Sequence, residues 1–210
     1  MKRYFKISFA VFFTVIAIGV ISWLFWEQEL KYALPTPVPK NYELVYVNER
    51  VIIDDNKSAD LQKPIFYHFF NTDCPCSKFN LRHFNWLKSK YEDQLDFVVV
   101  VPEGSDLDKA KDHFRGETKI LEDKNKEFAI RSGVYSTPQA VIINTNHTLY
   151  YRGNYNKARY CTDPKSNFAQ MALDSLLFDK PAPDFGPLAS IAYGCGLDEK
   201  NILTELTIWN

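Results

Sequence analysis

Three kinds of hydrophobic pattern follow one another along the chain, and each predicts a different element. The first is continuous: residues 7–26 carry no charge over 20 positions. At about 1.5 Å of rise per residue that run spans about 30 Å, the hydrocarbon thickness of a bilayer. Lys2, Arg3 and Lys6 precede it, whereas Glu27 and Glu29 follow. This asymmetry puts residues 1–6 in the cytoplasm and everything beyond the run outside it. The run closes on Trp23-Leu24-Phe25-Trp26, an interfacial aromatic belt. A cleaved signal peptide would have a shorter apolar core and small residues at the cut. The expectation is an uncleaved transmembrane anchor over 7–26. The segment 27–41 then contains Leu34-Pro35-Thr36-Pro37-Val38-Pro39, a stiff extended spacer.

The second pattern is a set of short apolar or β-branched runs bounded by turn formers, which predicts strands. Residues 65–70 lie between Pro64 and Asn71. Residues 97–101 are unbroken apolar and end at Pro102, the signature of a strand buried on both faces. Residues 140–143 and 148–151 form a hairpin around 144–147. Residues 119–121 predict a short strand, and 42–53 one or two more, followed by a polar loop over 54–63. The third pattern is helical. After Pro75, residues Phe79, Phe84, Leu87 and Tyr91 share one face, which predicts a helix to about Tyr91. Further helices are expected over 106–114, 123–131 and 168–178, with a loop over 133–138. Strand–helix alternation followed by a hairpin and a helix indicates an α/β domain with a mixed sheet over 42–180. A proline-bearing tail over 181–210 packs on it.

Composition narrows the chemistry. With 210 residues, 46% hydrophobic and 15% aromatic, the part beyond the anchor is long enough for one domain with a real core. A net charge of −1 gives no electrostatic case for nucleic acid or an acidic substrate. Four cysteines are too few for a disulfide-built scaffold. They suit one redox site and one further pair.

The candidate chemistry sits in Asn71-Thr72-Asp73-Cys74-Pro75-Cys76-Ser77. A cysteine where a strand ends and a helix begins meets unpaired backbone N–H groups, which favour thiolate, the nucleophilic form. Cys74 is the expected nucleophile. Asp73 either caps the helix or opposes ionisation of Cys74, with Lys78 offsetting its charge. His68 and His83 are expected to pack in the core, and His113 and His147 to lie on surface or loop. Asn56-Lys57-Ser58 and Asn146-His147-Thr148 have the form of glycosylation sequons and are assigned no role.

Strand–Cys74–helix, Thr137-Pro138 ahead of a strand, and a hairpin with a closing helix together resemble the thioredoxin-like superfamily. More narrowly, Phe70 to Ser77, Tyr151-Arg152-Gly153 and the Gly194-Cys195 tail look like poorly characterised membrane-anchored thioredoxin-like proteins of Gram-negative bacteria. The resemblance implies that Pro138 is cis and that the backbone beside Thr137 holds an extended partner. It departs from thioredoxins in having Ser77 at the second-cysteine position and Asp73 in place of Trp. Asn71 and Tyr67 stand where peroxiredoxins have Thr and Pro.

These readings combine into an inner-membrane, single-pass protein whose periplasmic domain is a thiol–disulfide oxidoreductase of oxidant or isomerase type. Cys74 attacks protein disulfides, Cys76 resolves, and Ser77, Thr137 and Pro138 support, with no cofactor. Cys161 and Cys195 are expected to form a structural disulfide, with Cys195 as a distant resolving thiol left open. The alternatives are a copper(I) chaperone using Cys74 and Cys76, and a degenerate interaction domain suggested by Ser77.

Overall fold

The computed structural model describes residues 2–52, 61–114 and 117–197. It divides the chain into two compact units, 1–34 and 35–210. In the first, α1 (Lys2–Gln28) is followed by a 3-10 turn, Leu30–Ala33. Its span Tyr4–Gln28 is long and apolar enough to cross a membrane, with none of its apolar window buried. Thr36, inside the proline-rich segment expected to be a spacer, is buried in the second unit.

The second unit is built on β1 (Ile65–Phe69), β2 (Asp96–Pro102), β3 (Lys119–Asp123), β5 (Gln139–Ile143) and β6 (Leu149–Gly153), in the order β3-β2-β1-β5-β6. β1 runs parallel to β2, with Tyr67 opposite Val98, and antiparallel to β5, with Tyr67 opposite Val141. β2 pairs parallel with β3, and β5 and β6 form an antiparallel hairpin with a bulge at Ile142/Ile143. This is a thioredoxin-like fold with one extra strand at the β3 edge. β1 and β5 lie in its middle and are almost wholly buried, as their apolar runs require.

The two faces of the sheet follow the period-2 rule. Phe66, Phe97, Val99, Ala140 and Ile142 point to one side, against Phe84, Leu87 and Tyr91 of α3 (Leu81–Tyr91) and Ala169, Ala172 and Leu173 of α6 (Phe168–Leu177). Tyr67, Phe69, Val98, Val100 and Val141 point to the other, against Phe128 and Ala129 of α5 (Glu127–Ser132). Each fully buried Phe or Leu stabilises by about 1.5–3 kcal/mol relative to exposure.

Several expectations need correction. The helix after Pro75 is two helices, α2 (Pro75–Phe79) and α3, divided at Asn80. α4 (Leu107–Lys111) is shorter than 106–114, and Asp106 caps it by accepting from the N–H groups of Asp108 and Lys109. The helix expected over 123–131 starts only at Glu127, because Asn125 and Lys126 have positive φ. Asp123 instead receives the N–H groups of Phe128 and Ala129, at 2.8 and 3.0 Å. Within 42–52 no strand forms beyond a single bridge of Arg50 to Thr148. The segment reaches the β6 edge through only a few bonds, such as Asn48 N–H to the Leu149 carbonyl at 2.8 Å. Residue 53, most of the expected 54–63 loop including Asn56 to Ser58, and residues 198–210 lie outside the described residues.

The described part of the tail from Pro187 to Leu197 packs on the domain. α7 (Pro187–Ser190) is tied to β6 by Asn154, whose N–H donates to the Ala189 carbonyl and whose Nδ2 donates to those of Leu188 and Ile191. A Cβ on Gly153 would meet the Ala189 carbonyl at 2.2 Å, so only glycine admits this approach. β7 (Cys195–Gly196) then pairs antiparallel with β4 (Ser136–Thr137), inside the segment expected to be a loop.

Candidate active site

Cys74 is the N-cap residue of α2, with extended backbone, and Pro75 occupies the first helical position. That proline has no N–H to lose there. Asn71 Oδ1 accepts the N–H of Asp73 at 2.9 Å, and the Cys74 N–H donates to the Asn71 carbonyl at 3.1 Å. Buried Ser77 accepts the Asn71 N–H through its Oγ at 3.2 Å. Ser77 thus holds the turn that presents Cys74. Asp73 supplies no cap. It pairs with Lys109 at 3.2 Å on the surface rather than with Lys78, an exposed pair that contributes about 0–1 kcal/mol.

The sulfur of Cys74 is bonded to that of Cys195, with S–S 2.12 Å and Cα–Cα 6.0 Å. This overturns the expected Cys161–Cys195 disulfide, since Cys195 is bonded to Cys74 and Cys161 keeps its thiol. The reason lies in the sheet. β7 puts Cys195 opposite Thr137, and the Thr137 carbonyl oxygen is 3.6 Å from Cys74 Sγ. Thr137-Pro138 is a cis peptide, as the resemblance implied. Cys74, Thr137, Pro138 and Cys195 therefore form one centre. Cys74 is 1% exposed and Cys195 half-buried.

Cys76 faces elsewhere. Buried in α2, its sulfur lies 3.8 Å from the Arg159 guanidinium, which stacks over Phe79 at 4.5 Å. A residue two positions along a helix turns through about 200°. Cys76 accordingly stands apart from the Cys74 centre and is not its partner. Cys161 donates to Asn80 Oδ1 at 3.0 Å, and burial pushes its thiol up to about 12. It stays protonated at neutral pH.

Beneath the site, His68 is fully buried and its Nδ1 is 2.7 Å from the Tyr155 hydroxyl. Burial lowers His68 to about 3 and His83 to about 4, so both are neutral at pH 7. The same burial raises Tyr155 far above the usual phenol range. Both histidines pack, as expected. His147 sits in a turn but is buried, not on the surface. Among the described residues no group of three or more His, Cys, Asp and Glu is placed to hold a metal ion.

Three site features escape sequence reading. The tail is fastened by Thr36, whose N–H donates to the Ala192 carbonyl at 2.8 Å and whose Oγ1 meets Ser136 Oγ at 2.9 Å and the Gly194 carbonyl at 3.2 Å. Gly194, with φ of 151°, has no room for a Cβ, which would meet the Thr137 carbonyl oxygen at 2.1 Å. A cavity of about 680 Å³ lies beside Thr137, with Leu197 in its lining. The small residues around Cys195 were the one available signal.

Among solved structures, the chain is similar to an uncharacterized conserved protein from Geobacillus kaustophilus, at 18% identity and a TM-score of 0.61, covering 79% of this chain and 98% of that one. A hypothetical protein from Sinorhizobium meliloti follows at 15% identity and a TM-score of 0.58, covering 76% and 97%. Both likenesses concern the fold. A secreted Mycobacterium tuberculosis disulfide oxidoreductase matches at 16% identity and a TM-score of 0.41, over 57% of this chain and 83% of its own. No curated protein matches the sequence. A family model does, over residues 46–196, and the chain belongs to that family, DUF6436, described as a domain of unknown function.

Proposed function

We propose that the protein is a membrane-anchored, periplasmic thiol–disulfide oxidoreductase whose redox pair is Cys74 and Cys195. The observation that carries this reading is the Cys74–Cys195 bond at a strand–helix junction, beside the Thr137 carbonyl and cis-Pro138. In the reduced protein the Cys74 thiolate attacks one sulfur of a partner disulfide. A Cys74–partner bond forms, and the partner's other sulfur leaves with the electron pair. Cys195 then attacks Cys74 Sγ, the partner's first sulfur leaves as thiolate, and the Cys195 proton passes to it. The partner has gained two electrons and the protein has become the disulfide described above. A dithiol reductant returns it to the start by attack on Cys195, the more exposed residue of the pair. Run backwards, the same steps oxidise a partner dithiol. The apolar Tyr4–Gln28 helix and the charge asymmetry around it support the anchor and an outward-facing domain.

The test uses the full chain in detergent, with insulin as the disulfide substrate and a dithiol as reductant. Cys74→Ser should abolish turnover. Cys195→Ser should accumulate trapped mixed disulfides, and Cys76→Ser should turn over normally. Loss of resolution in Cys76→Ser rather than Cys195→Ser would refute the assigned pair. No thiol exchange, together with tight copper(I) binding lost in both Cys74→Ser and Cys76→Ser, would instead establish the copper chaperone.

A further inference from the structure

The segment bonded to Cys74 occupies the place where an extended partner would lie. β7 adds to β4 as an antiparallel strand, with Cys195 opposite Thr137 and the Leu197 N–H donating to the Tyr135 carbonyl at 3.0 Å. Strand addition draws affinity from backbone bonds and specificity from alternate side chains. Two positions of the tail meet side-chain constraints. The residue before the cysteine, Gly194, lies so close to the Thr137 carbonyl that any Cβ collides with backbone, and its φ is one that other residues rarely adopt. Two residues after the cysteine, Leu197 reaches the cavity beside Thr137 and packs on the cluster that includes Phe69, Val100, Ala129 and Val134.

We infer that residues 194–197 are a built-in copy of the partner sequence. The site takes extended protein segments with glycine immediately before the reactive cysteine and an apolar residue two positions after it. Gly194 and the cavity beside Thr137 record these two requirements. The tail and the partner compete for the β4 edge, and Thr36, bonded to Ala192, Ser136 and Gly194, holds the tail in the contest. The inference rests on the proposed thiol–disulfide exchange at Cys74.

The test uses the reduced full chain in detergent carrying Cys195→Ser, which leaves the tail without its thiol. The probes are peptides Ala-Tyr-Gly-Cys-Gly-Leu whose cysteine carries a 2-thiopyridyl disulfide. Attack by Cys74 forms the Cys74–peptide disulfide and expels pyridine-2-thione, whose absorbance gives the rate. Peptide mapping locates the adduct. Three altered peptides carry alanine before the cysteine, serine for leucine, or an N-methyl group on the leucine amide. Each should react with Cys74 about tenfold more slowly than the parent, the order expected for a steric clash, an apolar side chain lost from its pocket or a lost backbone bond. Adding Gly194→Ala to the protein should dislodge its own tail and speed the parent peptide. The free disulfide 2,2′-dithiodipyridine, which needs no strand, should not distinguish the peptides' requirements. If all four peptides react alike while dithiodipyridine labels Cys74, the recognition rule is wrong and the exchange chemistry stands. If neither peptides nor dithiodipyridine label Cys74, the proposed function fails and takes this inference with it.

Discussion

The pairing of Cys74 with Cys195 predicts a large, specific link between redox state and stability. The two cysteines are 121 residues apart. On the chain-entropy model, a loop of that length removes about 5 kcal/mol worth of freedom from the unfolded chain. A Cys161–Cys195 bridge would close 33 intervening residues and contribute about 3–4 kcal/mol. For a unit of this size each kcal/mol moves the melting temperature by about 2–4 °C. Reduction of the native protein should therefore lower its Tm by about 10–20 °C. Melting curves with and without a dithiol, on the wild type and four single Cys→Ser variants, read this directly. The redox-dependent shift should vanish in Cys74→Ser and in Cys195→Ser and persist in Cys76→Ser and Cys161→Ser. A shift that disappears in Cys161→Ser but survives in Cys74→Ser would refute the pairing and restore the bridge expected from sequence.

Other consequences follow from burial and topology. His68 and His83 have folded pKa values near 3 and 4, below the unfolded value of about 6.5. The unfolded chain therefore binds more protons below pH 6.5. Stability should fall as pH drops from about 6.5 towards 4, by up to about 1.4 kcal/mol per pH unit for each histidine. Denaturant titrations over that range should show roughly half the slope in His83→Gln, and an unchanged slope would disprove its burial as a neutral base. Tyr155→Phe leaves His68 Nδ1 without its hydroxyl partner and should cost about 1–3 kcal/mol in the same assay. Native Cys161 should resist alkylation at pH 8, because burial keeps it a thiol, and rapid labelling there would contradict that environment. A phosphatase fused after Lys40 should be active in cells, whereas an inactive fusion would overturn the outward-facing orientation.

Much of this protein is set by local pattern. The long apolar helix at the N-terminus is a matter of 20 uncharged residues, and no packing is needed to recognise it. β1, β2 and the β5–β6 hairpin are apolar runs whose burial leaves little choice of element. Cys74 at the head of a helix follows from a strand, a turn and Pro75 in succession. Residues 42–52 misled, because their β-branched and aromatic side chains suit a strand yet find only one bridging partner. Asn125 and Lys126 misled differently, since their left-handed backbone breaks a pattern that reads as helix.

What only the tertiary structure decided is which cysteines meet. A bond between sulfurs needs two Cα atoms within about 7 Å, and sequence carries no distances between positions 121 apart. Cys195 reaches Cys74 because Gly153 and Asn154 admit α7 onto β6, Thr36 ties Ala192, and Gly194 lets the tail lie against Thr137. Cys76, two residues after Cys74 in sequence, turns away on the helix towards Arg159. Proximity along the chain favoured the wrong partner, and long-range packing on the sheet supplied the right one.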